Sequence, residues 1–363
     1  MVDTFAPTPI SLGQWNRTLL HRQHLLTRID DDAIEVIDRC VGLQSQDPRA
    51  AHYGLASRIV DYRPAELDGL LDSAEVVRMA SLRSTVFLSD AEDARWIRAL
   101  AQPRLDYEVE TAHRRRLTAA DPTDIAAQAA EELAGQELSV RELGARLQKR
   151  WPDEPASTLS AVARCLLPLV QVPPRGLWAC GGGGPLRYQL FDDWVGPGDP
   201  AITGEEAVRD LIRLYLRGFG PATVKGVQTW AAMTGLKPHL EAMLADWELI
   251  AYVGPNGERL YDLDGLEIVD ADRPAPARLV APFDNVVAVQ ADRARIADPE
   301  VYRRTLTPNG RSPGFVLVDG RLAGIWSVPD GERVVVDYLT EVTQANGRDV
   351  DGEVTRLEAL LNA

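Results

Sequence analysis

Cysteine is scarce. The 363 residues hold three, Cys40, Cys165 and Cys180. Their odd number and the lack of any C-x-x-C spacing exclude a disulfide framework or a zinc site of the usual kind. Histidine is scarce too, with five residues. His21 and His24 stand three apart, but no acidic or third histidine partner follows at a metal-like interval, so no metal site is expected. No apolar run approaches the ~20 residues that span a bilayer. The start of the chain, Met1-Val2-Asp3-Thr4-Phe5-Ala6-Pro7, lacks the basic and apolar segments of a secretory signal, and a cytoplasmic location is expected.

Positive charge is in deficit as well: 39 Lys and Arg against 54 Asp and Glu give a formal charge of −15. Phosphate contacts by basic side chains supply most nonspecific nucleic-acid affinity, so the charge argues against a broad binding surface of that kind and does not exclude a local basic stripe. Three clusters stand out against the acidic background: His113-Arg114-Arg115-Arg116, Arg146 with Lys149-Arg150, and Arg303-Arg304 with Arg311. Each reads first as a solvated face. What is present in ordinary amount, 45% hydrophobic and 26% charged residues, describes a soluble globular chain. Its length suits two to four units of the usual ~100–150 residues.

The strongest internal signal is a pattern that occurs twice. In the first copy, residues 122–134 read as a helix, Ser139-Val140-Arg141-Glu142 is a capping-box start for a second helix to about Lys149, and residues 157–170 read as a third. Strands follow at Gln171-Val172 with Leu177-Trp178-Ala179-Cys180, and at Leu186-Arg187-Tyr188-Gln189-Leu190, joined by the glycines at 181–184. In the second copy Thr203-Gly204-Glu205-Glu206 opens a helix to about Arg217. Gly220-Pro221-Ala222-Thr223 caps a second to Met233, residues 238–247 give a third, and strands 249–253 and 259–263 flank a Pro255-Asn256-Gly257 turn. Three helices and a hairpin make a winged helix, a helix-turn-helix variant. Residues 11–26, 33–41, 48–60 and 64–71, then strands near 76–82 and 85–88, read as a third, less regular copy that ends where Ser89-Asp90-Ala91-Glu92 caps another helix. Beyond the Pro-rich join at 272–276 the periodicity alternates: 278–290, 315–318, 322–328 and 333–339 read as strands, and 340–361 as a closing helix.

The expected fold is therefore α+β: three tandem winged-helix modules at 8–118, 119–200 and 201–272, followed by a C-terminal β-barrel-like domain at 273–363. Within the first module, Gly42-Leu43-Gln44-Ser45-Gln46-Asp47-Pro48-Arg49 places two glutamines one residue apart where a helix is expected to give way to a turn. An amide cannot act as a base at neutral pH, but it offers an acceptor and two donors that can hold a water and a polar ligand group at once. From spacing alone, a role in satisfying backbone groups at a helix end is the commoner use of such residues. Asp47 before Pro48 reads as an N-cap.

Several stretches carry a resemblance. Leu43-Gln44-Ser45-Gln46-Asp47-Pro48-Arg49, Arg83-Ser84-Thr85-Val86-Phe87-Leu88, Phe219-Gly220-Pro221-Ala222-Thr223, Ala281-Pro282-Phe283-Asp284-Asn285 and Val318-Asp319-Gly320-Arg321-Leu322-Ala323-Gly324-Ile325-Trp326 occur in this order. Together they make the chain, over nearly its whole length, similar to the winged-helix DNA glycosylases related to AlkZ and YcaQ. The first stretch resembles that family's Gln-hydrophobic-Gln turn and the second its Arg-Gly-Thr-x-His-Leu strand. Ser45 replaces the usual hydrophobic residue, and Phe87 stands where histidine is common. Gln46 is similar to the AlkZ branch, where the YcaQ branch has Asp, which implies a narrower substrate range.

The resemblance implies a monofunctional DNA glycosylase that hydrolyses the N-glycosidic bond of bulky 7-alkylguanine lesions, with interstrand crosslinks an open extension, in repair or in self-resistance to a genotoxin. Gln44 and Gln46 are the implied catalytic pair, Asp47 a candidate behind them, and Arg49, Arg83, Ser84, Thr85 and Arg321 the candidate DNA contacts. Arg83 reads equally as a phosphate ligand or a salt-bridged surface residue. Arg321 lies near the tip of a hairpin that either probes the minor groove or is an ordinary barrel hairpin. The implied partner is double-stranded DNA carrying an alkylated guanine, met by a monomer near the nucleoid without membrane or cofactor. The alternative is a noncatalytic winged-helix DNA-binding protein or transcription regulator. No heptad or other dimerisation segment supports that reading, since regulators usually pair to read half-sites. A protein-interaction scaffold, which suits the acidic charge, is the third.

Overall fold

The computed structural model describes residues 7–181, 184–308, 310–331 and 333–362. Gly182 and Gly183 of the glycine run, and the first six residues, lie outside them. The chain is α+β and forms two compact units, one of Gly42–Arg49 with Pro64–Val208, the other of Met1–Val41, Ala50–Arg63 and Arg209–Ala363.

The first unit is built on a six-stranded sheet in the order Leu43–Gln44, Val86–Asp90, Val76–Ala80, Leu169–Gln171, Arg187–Leu190, Leu138–Ser139, every neighbour antiparallel. Two hairpins far apart in sequence thus share one sheet, joined at Met79 opposite Val170. The join is buried with Val77, Ala91, Ala94, Val172 and Phe191, apolar side chains that would otherwise face water on each hairpin alone. Helix Ala91–Glu108 packs on the sheet, its N-terminus capped by the Asp90 carboxylate, which accepts from the Glu92 and Asp93 N–H groups. The capping box appears as the spacing predicts, with Ser139 and Glu142 exchanging hydrogen bonds at the start of helix Val140–Gln148.

Three expectations need correction here. Helix Ala156–Leu166 stops before residue 170, because Pro168 forces Leu167 into an extended conformation, and Leu169–Gln171 joins the sheet instead. Trp178–Cys180 is a short 3-10 turn, not a strand; two prolines precede it and the Trp178 N–H is taken by the Asp68 carboxylate, which leaves no ladder to join. Gln44 lies not at a helix-to-turn junction but on a strand at the sheet edge. Helix Ala33–Arg39 ends early, Val41 and Gly42 reverse the chain through left-handed conformations (φ 54° and 77°), and pairing with Leu88 and Phe87 begins at once. Gly42 is required twice over, since a Cβ there would lie 2.5 Å from Ser89 Oγ.

The second unit carries helices Leu12–Arg22, Ala33–Arg39, Ala50–Ala56, Val224–Ala231 and Lys237–Ala245, together with Gly204–Phe219 from Arg209 onward. Tyr215, Phe219 and Trp230 stack at its centre with ring centroids 5.1–5.9 Å apart. The expected hairpin Leu249–Val253 and Arg259–Leu263 forms, and Thr8–Pro9 adds to its edge in parallel. A second sheet runs Arg278–Val280, Gly314–Val318, Arg321–Ser327, Val335–Tyr338, and helix Gln344–Leu361 packs on it. This sheet is open, with no closing pair among the described residues, so the barrel-like expectation reduces to four antiparallel strands. The strand expected over 278–290 is shortened to three residues because Pro282 cannot donate to a ladder and Phe283 turns the chain at φ 63°.

Candidate active site in the edge strand

Gln44 and Gln46 sit in an extended stretch whose burial alternates: Leu43 and Ser45 are buried, Gln44 is half-buried and Gln46 exposed. Period-two geometry therefore turns both glutamines to one face and Ser45 to the other. The pairing continues past the strand, with Ser45 N–H donating to Val86 O at 2.8 Å and Val86 N–H donating to Gln46 Oε1 at 3.3 Å.

Behind the stretch lies Arg78, 1% exposed on the fully buried strand Val76–Ala80. Its Nε donates to Ser45 Oγ at 3.1 Å and its Nη2 to Ser45 O at 2.8 Å, while Nη1 is buried without a hydrogen-bond partner among the described residues. Burial, helped by Arg175, lowers its pKa to about 9, and it remains a cation at neutral pH. The hydroxyl that departs from the hydrophobic pattern at position 45 is thus the acceptor for a guanidinium. Arg78 was not singled out from the sequence; the only signal was a charged residue inside the otherwise apolar run Val76-Val77-Arg78-Met79-Ala80.

On the glutamine side, Arg83 Nη2 donates to Gln44 Oε1 at 2.6 Å, and its guanidinium lies 4.8 Å from the centroid of the Phe87 ring. Phe87, 1% exposed and paired with Gln44 across the ladder, is the apolar floor on which Arg83 rests. Burial lowers the Arg83 pKa to about 9. Arg83 and Ser84 both adopt left-handed conformations, φ 58° and 60°. Two consecutive non-glycine residues there cost on the order of 1 kcal/mol each. Glycine in the family's Arg-Gly-Thr pattern would adopt the second without cost; Ser84 instead gains a hydrogen bond, its Oγ donating to Glu108. Thr85 is spent locally, with Oγ1 donating to Leu82 O at 3.2 Å.

Glu108 also accepts from Arg164 Nη2 at 2.5 Å and faces His113 Nε2 at 3.1 Å. With Cys165 these make a cluster whose donor atoms lie within 4.8 Å of one another, the one grouping of metal-ligand type among the described residues. Its chemistry suits hydrogen bonding better than a cation. Arg164 already occupies the carboxylate, and burial pushes the Cys165 thiol up to about 11, so it is protonated at neutral pH.

The remaining candidates are dispersed. The Asp47 carboxylate accepts the Arg49 N–H at 3.0 Å, the backbone-capping use its place before Pro48 suggests. Arg49 lies 4.9 Å from the Trp178 ring centroid. Arg321 belongs to the other unit and donates to Ala294 O at 3.1 Å. The turn beside it is tied down, with Asn16 Nδ2 donating to Gly320 O at 2.8 Å and Arg17 bound to the Asp319 carboxylate. In the same unit the Thr223 hydroxyl accepts from Gly226 N–H and donates to Asp292 Oδ1, a helix cap.

The comparisons with known proteins place the chain among the DNA glycosylases. Residues 37–360 match the family model described as DNA glycosylase AlkZ-like, and the chain belongs to that family. An interstrand DNA cross-link repair glycosylase of Streptomyces sahachiroi is 23% identical over 337 residues, 88% of each chain. The solved structure of the Streptomyces sahachiroi DNA glycosylase AlkZ superposes with a TM-score of 0.80 over 98% of both chains at 20% identity.

Proposed function

We propose that this glycosylase hydrolyses the N-glycosidic bond of bulky 7-alkylguanine lesions in duplex DNA, interstrand crosslinks among them, with Gln44 and Gln46 as the catalytic pair. The observation that carries the reading is the tethering of both amides by their carbonyl oxygens, one to Arg83 and one to the Val86 N–H. Each carbonyl keeps a second lone pair and each NH2 has two donors to offer a ligand. Alkylation at N7 leaves the purine cationic, so it departs without protonation. The remaining tasks are to hold a water on the open face of an oxocarbenium-like sugar and to orient the strand. Gln46, exposed and on the longer bond, holds the water. Gln44, polarised by Arg83, donates to sugar or phosphate oxygen.

In this reading Arg49, Arg83, Ser84, Thr85 and, on the other unit, Arg321 meet the DNA, and Asp47 shapes the turn behind the glutamines. Helices and hairpins at 8–118, 119–200 and 201–272 act as winged-helix modules, with 273–363 as a closing β domain. The protein works as a monomer on chromosomal DNA in the cytoplasm, in repair or in protection from a DNA-alkylating natural product. No helix among the described residues is long and apolar enough to cross a membrane.

The test is release of free base from duplexes carrying a single bulky 7-alkylguanine, and from a crosslinked duplex. Release from both is expected; tight binding with no release from either assigns the chain to noncatalytic lesion binding. Arg78 supplies a further prediction. Arg78→Met keeps the volume but leaves the buried Ser45 O and Oγ without their donor, so the melting temperature is expected to fall by a few degrees, on the order of 1–3 kcal/mol. The Ser45 strand also loses its clamp, and base release is expected to slow about 10-fold, since small misplacements of reacting groups are costly. Unchanged release would show that Arg78 positions nothing.

A further inference from the structure

We propose that Arg114, Arg115 and Arg116 form the phosphate-binding edge through which this acidic protein holds duplex DNA beside its catalytic strand. Helix Ala91–Glu108 does not end in solvent; it widens into a π-helical turn, Val109–His113, and then tightens into the 3-10 turn Arg114–Arg116. A π turn places residues five apart on one another, and here it brings His113 Nε2 to 3.1 Å from Glu108 Oε1. The other oxygen of Glu108 accepts the Ser84 hydroxyl, and Ser84 adjoins Arg83, whose guanidinium holds Gln44. A run of contacts inside one compact unit therefore fixes the basic turn with respect to the glutamine strand.

All three arginines are exposed, and among the described residues none is in an ion pair. Arg115 Nη2 donates to Thr111 O at 3.2 Å. Glu110, four residues before Arg114, makes no ion pair with it, and Asp106 accepts from Gln102. In a chain of net charge −15, where most other arginines are neutralised or buried, three adjacent uncompensated cations are exceptional. A 3-10 turn rises ~2 Å per residue and points successive side chains about a third of a turn apart. Two of the three can therefore follow one phosphate strand while the third reaches across. Guanidinium is also the cation best matched to phosphate oxygens.

This inference rests on the proposed function, and its test separates the two. Binding of an unmodified duplex by the full chain is measured by fluorescence anisotropy across salt concentrations from about 50 to 200 mM, beside base release. Arg114→Ala/Arg115→Ala/Arg116→Ala is expected to make the slope of log K against log salt shallower by about 2–3, with affinity at ~0.1 M salt down by at least tenfold. Arg141→Ala/Lys149→Ala/Arg150→Ala removes equal charge from exposed positions of the same unit and is expected to bind as wild type. An unchanged slope in the first variant, or an equal loss in the second, overturns the proposal. If the wild type releases no base from any alkylated duplex but the slope still changes, the phosphate edge stands and the catalytic reading falls.

Discussion

Gln44→Ala and Gln46→Ala are each expected to slow base release from a 7-alkylguanine duplex by on the order of 10²–10³, the loss that follows removal of one preorganised polar group from a hydrolytic site. The effect is large because the cationic base leaves unaided, so positioning of water and sugar is most of what the protein contributes. It is also clean. Gln46 is exposed and Gln44 half-buried, and among the described residues each side chain makes one hydrogen bond, so folding changes little while the chemistry is lost. Single-turnover assays with protein in excess, together with melting curves, distinguish the two. Release at wild-type rates by both variants would remove the pair from the mechanism. Gln46→Glu, which keeps the acceptor for the Val86 N–H and a second oxygen for water, is expected to retain much more activity than Gln46→Ala.

Asp284→Ala or Arg58→Ala is expected to cost about 3–5 kcal/mol, the usual penalty for stripping one partner from a buried ion pair. Arg58 donates through Nη1 and Nη2 to the two Asp284 oxygens at 2.9 and 3.1 Å, with the side chains 1% and 4% exposed. The same guanidinium also donates to Gly54 O and Gln23 Oε1, but these also accept from Ser57 Oγ and Cys40 Sγ, so the loss of Arg58 falls chiefly on the buried Asp284 carboxylate. The melting temperature should fall on the order of 10 °C, and Arg58→Met/Asp284→Leu should recover most of it. A single variant that melts with the wild type would show that the pair is not a fold determinant.

These two cases explain why motifs of similar appearance divide as they do. Ala281-Pro282-Phe283-Asp284-Asn285 and Phe219-Gly220-Pro221-Ala222-Thr223 are distinctive in sequence because their positions are geometrically crowded. Asp284 closes an ion pair, and Gly220 leaves room for Asp262, a Cβ there falling 2.5 Å from its carboxylate oxygen. Leu43-Gln44-Ser45-Gln46 is distinctive for a different reason, since its polar atoms remain only partly used by the protein. Nothing in the letters separates the two kinds.

Local interactions were legible in the sequence. The Ser139 capping box, the Thr223 cap, the hairpin around Pro255-Asn256-Gly257 and the helices near 204–219 and 344–361 depend on residues a few positions apart, whose spacing is itself the signal. The amide pair was visible as a spacing, but the sequence placed it where a helix gives way to a turn; the edge strand, which turns residues i and i+2 to one side, came only with the structure. The structure decided what stands around it. Arg78 reaches Ser45 from 33 residues away and Arg83 reaches Gln44 from 39, while the two hairpins meet in one sheet at Met79 and Val170. Such partners are selected by which apolar surfaces are buried together and which polar groups are then left to satisfy one another. That selection is made only when the chain closes on itself, and no spacing along the sequence records it.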